Sequence, residues 1–146
     1  MKSRINYYKV SEAGLKNMLS MEKYISLDMN LTKKLIELVK IRVSQINGCA
    51  FCLNMHTQDA RKLGETEQRI YLLNAWKETS LYTEQERMAL EFAEILTLIS
   101  AHDIPDTLYE EVRTLFDERQ YTGLVLLINQ INSWNRIAIS MANKFA

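Results

Sequence analysis

Apolar residues recur at intervals of three and four along nearly the whole chain, with almost no sustained alternation, so the pattern predicts helices and no sheet. Ser11 can cap a first helix that reaches about Ile25 and carries Leu15, Met18 and Leu19 on one face. A second, about Leu31 to Ile46, places Ile36, Val39, Val43 and Ile46 on one stripe and stops at Asn47-Gly48. The third starts at Cys49 or Ala50 and runs to Leu63, where Gly64 can take the left-handed conformation without a steric penalty. Thr66 caps a fourth helix, through Trp76. Thr83-Glu-Gln-Glu86 is a capping box that opens a fifth, with Met88, Phe92, Ile95, Leu96 and Ile99. After the break at Pro105, a sixth is expected over about Asp106 to Phe116 and a long final one over about Gln120 to Met141.

The final helix is apolar most of the way round, with Leu124, Leu127, Ile128, Ile131 and Trp134. Such a helix is either central in its own domain or shared with another subunit, and the short chain favours sharing. The 146 residues suffice for one core. No repeat, low-complexity tract or linker divides them, so a single all-α domain is expected over 1–146. Residues 1–30 would form a helical arm and 31–141 the core.

Charge removes several classes of partner. Eighteen basic and eighteen acidic residues give a formal net charge of zero, so no overall field draws the protein to nucleic acid or an anionic membrane. No apolar run approaches the ~20 residues of a membrane span, and the first nine residues contain no signal-peptide core, so a cytoplasmic protein is expected.

The candidate chemistry lies in Cys49-Ala-Phe-Cys52-Leu-Asn-Met-His56. Cysteines three apart close too small a loop to staple a fold, which points to redox or metal chemistry. On a helix, Cys49, Cys52 and His56 share one face. Unpaired N–H groups and the helix dipole would favour a thiolate at Cys49, whereas His56, one turn beyond Cys52, could take that thiol's proton. These two effects name different nucleophiles, and the sequence does not choose between them. Zinc would need four ligands, and only His102, far off in sequence, could complete Cys49, Cys52 and His56. His102 itself reads as an exposed loop residue or a partner for a helix C-terminus. A cysteine hydrolase would need no second thiol so close, while two buried core thiols remain the bland alternative. Glu37 alone reads as part of a solvated face, with Lys33, Lys34 and Lys40 at ion-pairing distance along the helix. Tyr24, Trp76, Tyr82 and Trp134 could line a pocket, though aromatic residues at this spacing are usually core.

Glu37, eleven intervening residues and Cys49-x-x-Cys52-x-x-x-His56 together resemble the core motif of the AhpD-like alkylhydroperoxidase and carboxymuconolactone decarboxylase superfamily. The stretch Ile46 to Thr57, the following Ala60 to Gly64 and Asn132-Ser-Trp-Asn-Arg-Ile137 resemble its small peroxidase-related members, and the likeness spans roughly Leu31 to Met141. The resemblance implies an all-α fold of about six or seven helices, a homo-oligomer (trimer or hexamer) and thiol-dependent reduction of a small hydroperoxide. It assigns Cys52 as the peroxidatic thiol, Cys49 as resolving thiol and proton donor, and Glu37 and His56 as the proton relay. No cofactor or metal is implied. The Cys49–Cys52 disulfide would be reduced by an external dithiol, a lipoyl protein in the family prototype. That prototype has a His inside its Cys-x-x-Cys where this chain has Phe51. Two other readings compete: a decarboxylase acting on a small lactone acid, which has no use for a dithiol, and a non-enzymatic helical assembly module that senses redox state.

Overall fold

Short polar caps decide where these helices begin. The computed structural model describes residues 4–143. Among them lie α1 (Tyr7–Val10), α2 (Glu12–Asp28), α3 (Lys33–Asn47), α4 (Ala50–Lys62), α5 (Glu67–Tyr71), α6 (Glu84–Thr97), α7 (Asp106–Leu115) and α8 (Glu118–Ser140), with 3-10 segments at Leu73–Glu78 and Ile99–Ala101. No strand occurs among the described residues. Thr32 caps α3 by accepting the Leu35 N–H, and Thr66 does the same for Arg69 at α5. The capping box of Thr83 and Glu86 forms at α6, and Asp117 with Gln120 builds a second one at α8, so the last helix starts two residues before the position its apolar stripe suggests.

α3 is the hub, packed against α4, α6 and α8. Its Leu38, Val39, Ile41 and Val43 are fully buried, as are Leu124, Leu127, Ile128 and Ile131 of α8 and Leu90 and Phe92 of α6. Each such side chain contributes about 1.5–3 kcal/mol of burial free energy, which outweighs weak intrinsic helix preference in a β-branched helix like α3. α8 touches α2, α3, α4, α6 and α7. These neighbours bury Leu124, Leu127, Ile128 and Ile131, while Ile139 stays exposed.

Two elements differ from expectation. The helix expected from Thr66 to Trp76 ends at Tyr71, and a 3-10 segment follows in which Ala75 leaves helical geometry (φ −116°, ψ 26°). The bend lets Trp76 reach the core and donate its indole N–H to Glu94 at 2.7 Å. The short α1 carries too few residues to show a period. The residues expected as an N-terminal arm pack closely on the core: Leu15 and Ile25 of α2 are buried, and Gln130 of α8 donates to the Met18 carbonyl at 2.8 Å. The ends of the expected 1–146 domain, residues 1–3 and 144–146, lie outside the described residues.

Candidate redox site

The turn between α3 and α4 sets the position of the cysteines. Gly48 ends α3 at φ 67°, ψ 32°, and its N–H reaches back to the carbonyls of Ser44 and Gln45. This left-handed residue costs glycine little and would strain any side chain. The chain then turns directly into α4, with the Cys49 N–H bonded to Ser44 O at 3.0 Å. Cys49 is the N-cap: its sulfur accepts the Cys52 N–H at 3.4 Å. The two sulfurs are 2.8 Å apart, both thiols are free, and both are almost wholly buried. Closing the disulfide to about 2.05 Å would bring the sulfurs together by less than an ångström.

Cys52 and Cys49 differ in access. A cavity of about 250 Å³ is lined by Cys52 and His56, by the charged Glu22 and Lys40, by the apolar Phe51, Met55, Leu19, Trp134 and Ala138, and by Tyr7, Tyr8 and Asn143. Cys49 does not line it. Burial pushes the Cys52 thiol up to about 12, reinforced by the contact with Cys49, while a hydrogen bond from the Asn135 side chain pulls the other way. Cys52 is thus a buried, protonated thiol at neutral pH, and any reaction there needs a proton acceptor.

His56, one turn along α4, is buried with Nδ1 2.8 Å from Glu37 Oε2. A carboxylate can only accept, so Nδ1 carries the hydrogen, and in the neutral ring Nε2 is the free acceptor. Glu37 is far from a solvated face, its side chain only 12% exposed. Lys40 does approach its other oxygen, at 3.9 Å, but bonds more closely to Glu22 of α2, at 2.7 Å. Glu22 in turn accepts the Trp134 indole N–H at 2.9 Å. Behind the cysteines, Asn135 donates to Ser44 Oγ at 3.0 Å, and Asn47 donates to both Asn132 and Asn135 at 2.9 Å, tying α3 to α8.

The structure thus gathers Cys49, Cys52, His56 and Glu37. His102 stands apart and exposed, lining a surface hollow with Arg42 and Lys77, so it does not complete a ligand set with the cysteines. Among the described residues, Glu37, His56 and Asp59 have potential metal-ligating atoms within 4.8 Å of one another. There Glu37 and His56 are bonded to each other at 2.8 Å and Asp59 is paired with Lys62 at 2.8 Å. Of the aromatic candidates, Trp134 lines the cavity, Tyr24 is exposed, and Trp76 and Tyr82 belong to a separate core cluster beside α3. Sequence reasoning did not single out Glu22, Tyr7 or Asn135. Glu22 and Tyr7 carry no local signal, because their partners come from distant segments, and Asn135 stood out only inside the resembling Asn132–Ile137 stretch.

Fold and site together define an all-helical protein with a buried dithiol and a His–carboxylate pair beside a cavity that Cys52 and His56 line. The sequence profile of the Carboxymuconolactone decarboxylase family matches residues 13–94, more than half of the chain. The chain belongs to this family, within the AhpD-like superfamily. It is 55% identical over 146 residues to the uncharacterized protein YdfG of Bacillus subtilis, covering 100% of this chain and 99% of that one. A solved structure from Agrobacterium tumefaciens, of a protein of unknown function whose name suggests an antioxidant defence role of the AhpD type, superposes with a TM-score of 0.92 at 38% identity and covers 99% of both chains. An uncharacterized peroxidase-related protein from Silicibacter sp. TM1040 superposes at 0.82 with 27% identity, over 93% of this chain and 72% of its own.

Proposed function

We propose that the protein is a thiol-dependent hydroperoxide reductase. The observation that carries this reading is the pair of sulfurs 2.8 Å apart, of which only Cys52 lines the cavity it shares with His56. The Cys52 proton passes to His56, directly or through a water, while Glu37 steadies the resulting imidazolium. The thiolate attacks the terminal peroxide oxygen, the O–O bond breaks, and the leaving alkoxide takes the proton back from His56, giving an alcohol and Cys52 sulfenic acid. Cys49 then attacks the sulfenic sulfur with loss of water, and the disulfide forms.

An external dithiol restores both thiols by exchange through a mixed disulfide. A lipoyl group, the reductant in the superfamily's prototype, fits this need. The apolar cavity suits a small organic hydroperoxide. The resemblance implies a homo-oligomer, a trimer or hexamer, and the exposed Leu19, Tyr24 and Leu27 of α2 are candidate contacts for it. The names of the Agrobacterium and Silicibacter proteins agree with an antioxidant or peroxidase-related role. Decarboxylation of a lactone acid would leave the dithiol without a task.

Consumption of an organic hydroperoxide with dithiothreitol as reductant tests the proposal. The wild type turns over and Cys52→Ser does not. Glu37→Gln is expected to keep its helical circular dichroism and to lose about 10- to 100-fold in rate, within the range of general acid–base effects. Turnover that survives in Cys52→Ser overturns the reading.

A further inference from the structure

Two carboxylates compete for one buried ammonium beside the candidate base. Lys40, with a side chain only 10% exposed, lies 2.7 Å from Glu22 Oε2 and 3.9 Å from Glu37 Oε1. Both Glu22 oxygens are engaged, Oε1 by the Trp134 indole at 2.9 Å and Oε2 by Lys40. Glu37 keeps its closer contact, 2.8 Å, for His56. We infer that Glu22, on a helix outside the cysteine motif, is a positioning residue: by holding the Lys40 ammonium it leaves the Glu37 carboxylate to His56. The importance of this for turnover rests on the reductase reading; the placement of charge around His56 does not.

The charges give the inference a sign. With His56 neutral, Glu22, Glu37 and Lys40 carry one net negative charge, and protonating His56 brings the cluster to neutrality. Removing the Glu22 charge frees Lys40 to move onto Glu37, so that a protonated His56 would add a second cation beside a single anion. Removing Lys40 alone leaves two anions with no cation but His56. Removing both restores the original balance, with Glu37 and His56 as an isolated pair. The other ionisable neighbours are the same in every variant. Asp59 on α4, within 4.8 Å of Glu37 and His56, is paired with Lys62 at 2.8 Å, the Tyr7 and Tyr8 phenols of α1 and the Cys52 thiol border the same cavity, and Lys33 is exposed to water one turn before Glu37. α8 faces the cluster with Trp134 and Asn135, neither of which titrates.

The chain has two histidines, and the exposed His102 serves as an internal control in an imidazole nuclear magnetic resonance titration of the reduced protein. Relative to the wild type, the His56 transition should move to lower pH in Glu22→Gln and to higher pH in Lys40→Met, each by about one unit. In the double variant it should return to within about a third of a unit of the wild type, a non-additivity expected of groups in one network. The His102 transition stays put. Oxidation of the reduced protein by an organic hydroperoxide, followed in parallel, should slow about tenfold in Glu22→Gln and recover in the double variant.

A His56 transition that ignores Glu22→Gln, or a double variant displaced at least as far as the worse single one, overturns the inference. So does the expected titration order combined with an unchanged oxidation rate, because the charge would then be positioned without effect. If the wild type itself is inert to hydroperoxide, the reductase reading falls, and the titration alone decides whether Glu22 sets the charge at His56.

Discussion

The Cys52 thiol is held in its neutral form by its surroundings, chiefly because burial removes the water that would solvate a thiolate, so that it rises to about 12 from an ordinary value of 9.0. This has a consequence for stability. A group whose folded-state value is raised contributes stability that is fully present below the unfolded value, here 9.0, and is lost as pH climbs toward about 12. Urea unfolding of the reduced protein should therefore show the wild type losing stability relative to Cys52→Ser between about pH 8 and about pH 10.5. Parallel behaviour of the two proteins would contradict the buried environment assigned to this sulfur. The Cys–Cys–His set was legible in the sequence because all three residues stand on one helix, where spacing alone fixes their common face. Spacing could not choose the nucleophile. The family resemblance named Cys52, and of the two thiols only Cys52 borders the cavity, to which residues distant in sequence contribute. Glu37 was readable from residues alone only as a surface charge, and its partnership with His56 emerged from the family resemblance and now from a 2.8 Å contact. Glu22 and Lys40 meet across two helices, a relation that helical periodicity within either one does not encode.

Helices with their own caps were the most legible elements. α6, opened by the box at Thr83 and Glu86, and α3, opened by Thr32 and closed by Gly48, stand close to the positions that their caps and stripes imply. The segment after Thr66 was misjudged because its helical period is broken to seat Trp76, a tertiary demand that overrides local preference. A similar conflict fixes Gly123 in α8. Alanine is the better helix former by about 1 kcal/mol, yet a Cβ built at Gly123 would stand 2.6 Å from the Cβ of Met29 in the α2–α3 connection. A Cβ sits at the rigid base of its side chain and cannot swing away. Gly123→Ala should therefore destabilise the protein by about 1–3 kcal/mol, read from its urea unfolding midpoint. A stabilised variant would show that propensity outweighs this close approach.

At the scale of the whole molecule, the first and last of the described residues meet beside the candidate site. The Arg4 N–H bonds to the Met141 carbonyl at 3.1 Å, its guanidinium to the Ser140 carbonyl at 2.9 Å, and Asn143 donates to the Tyr7 hydroxyl at 2.5 Å. The cavity therefore draws residues from α1, α2, α3, α4, α8 and the segment after it, which is why a motif on one helix could announce chemistry without describing the space around it. Among the described residues no helix is long and apolar enough to cross a membrane. Whether this enclosed sulfur pair is a working redox couple is read from the intact mass of the reduced protein after one equivalent of an organic hydroperoxide. A redox couple gives a rapid loss of about 2 Da, the two thiol hydrogens, with no such loss in Cys52→Ser. An unchanged wild-type mass, with both thiols still titrating as free, would contradict it.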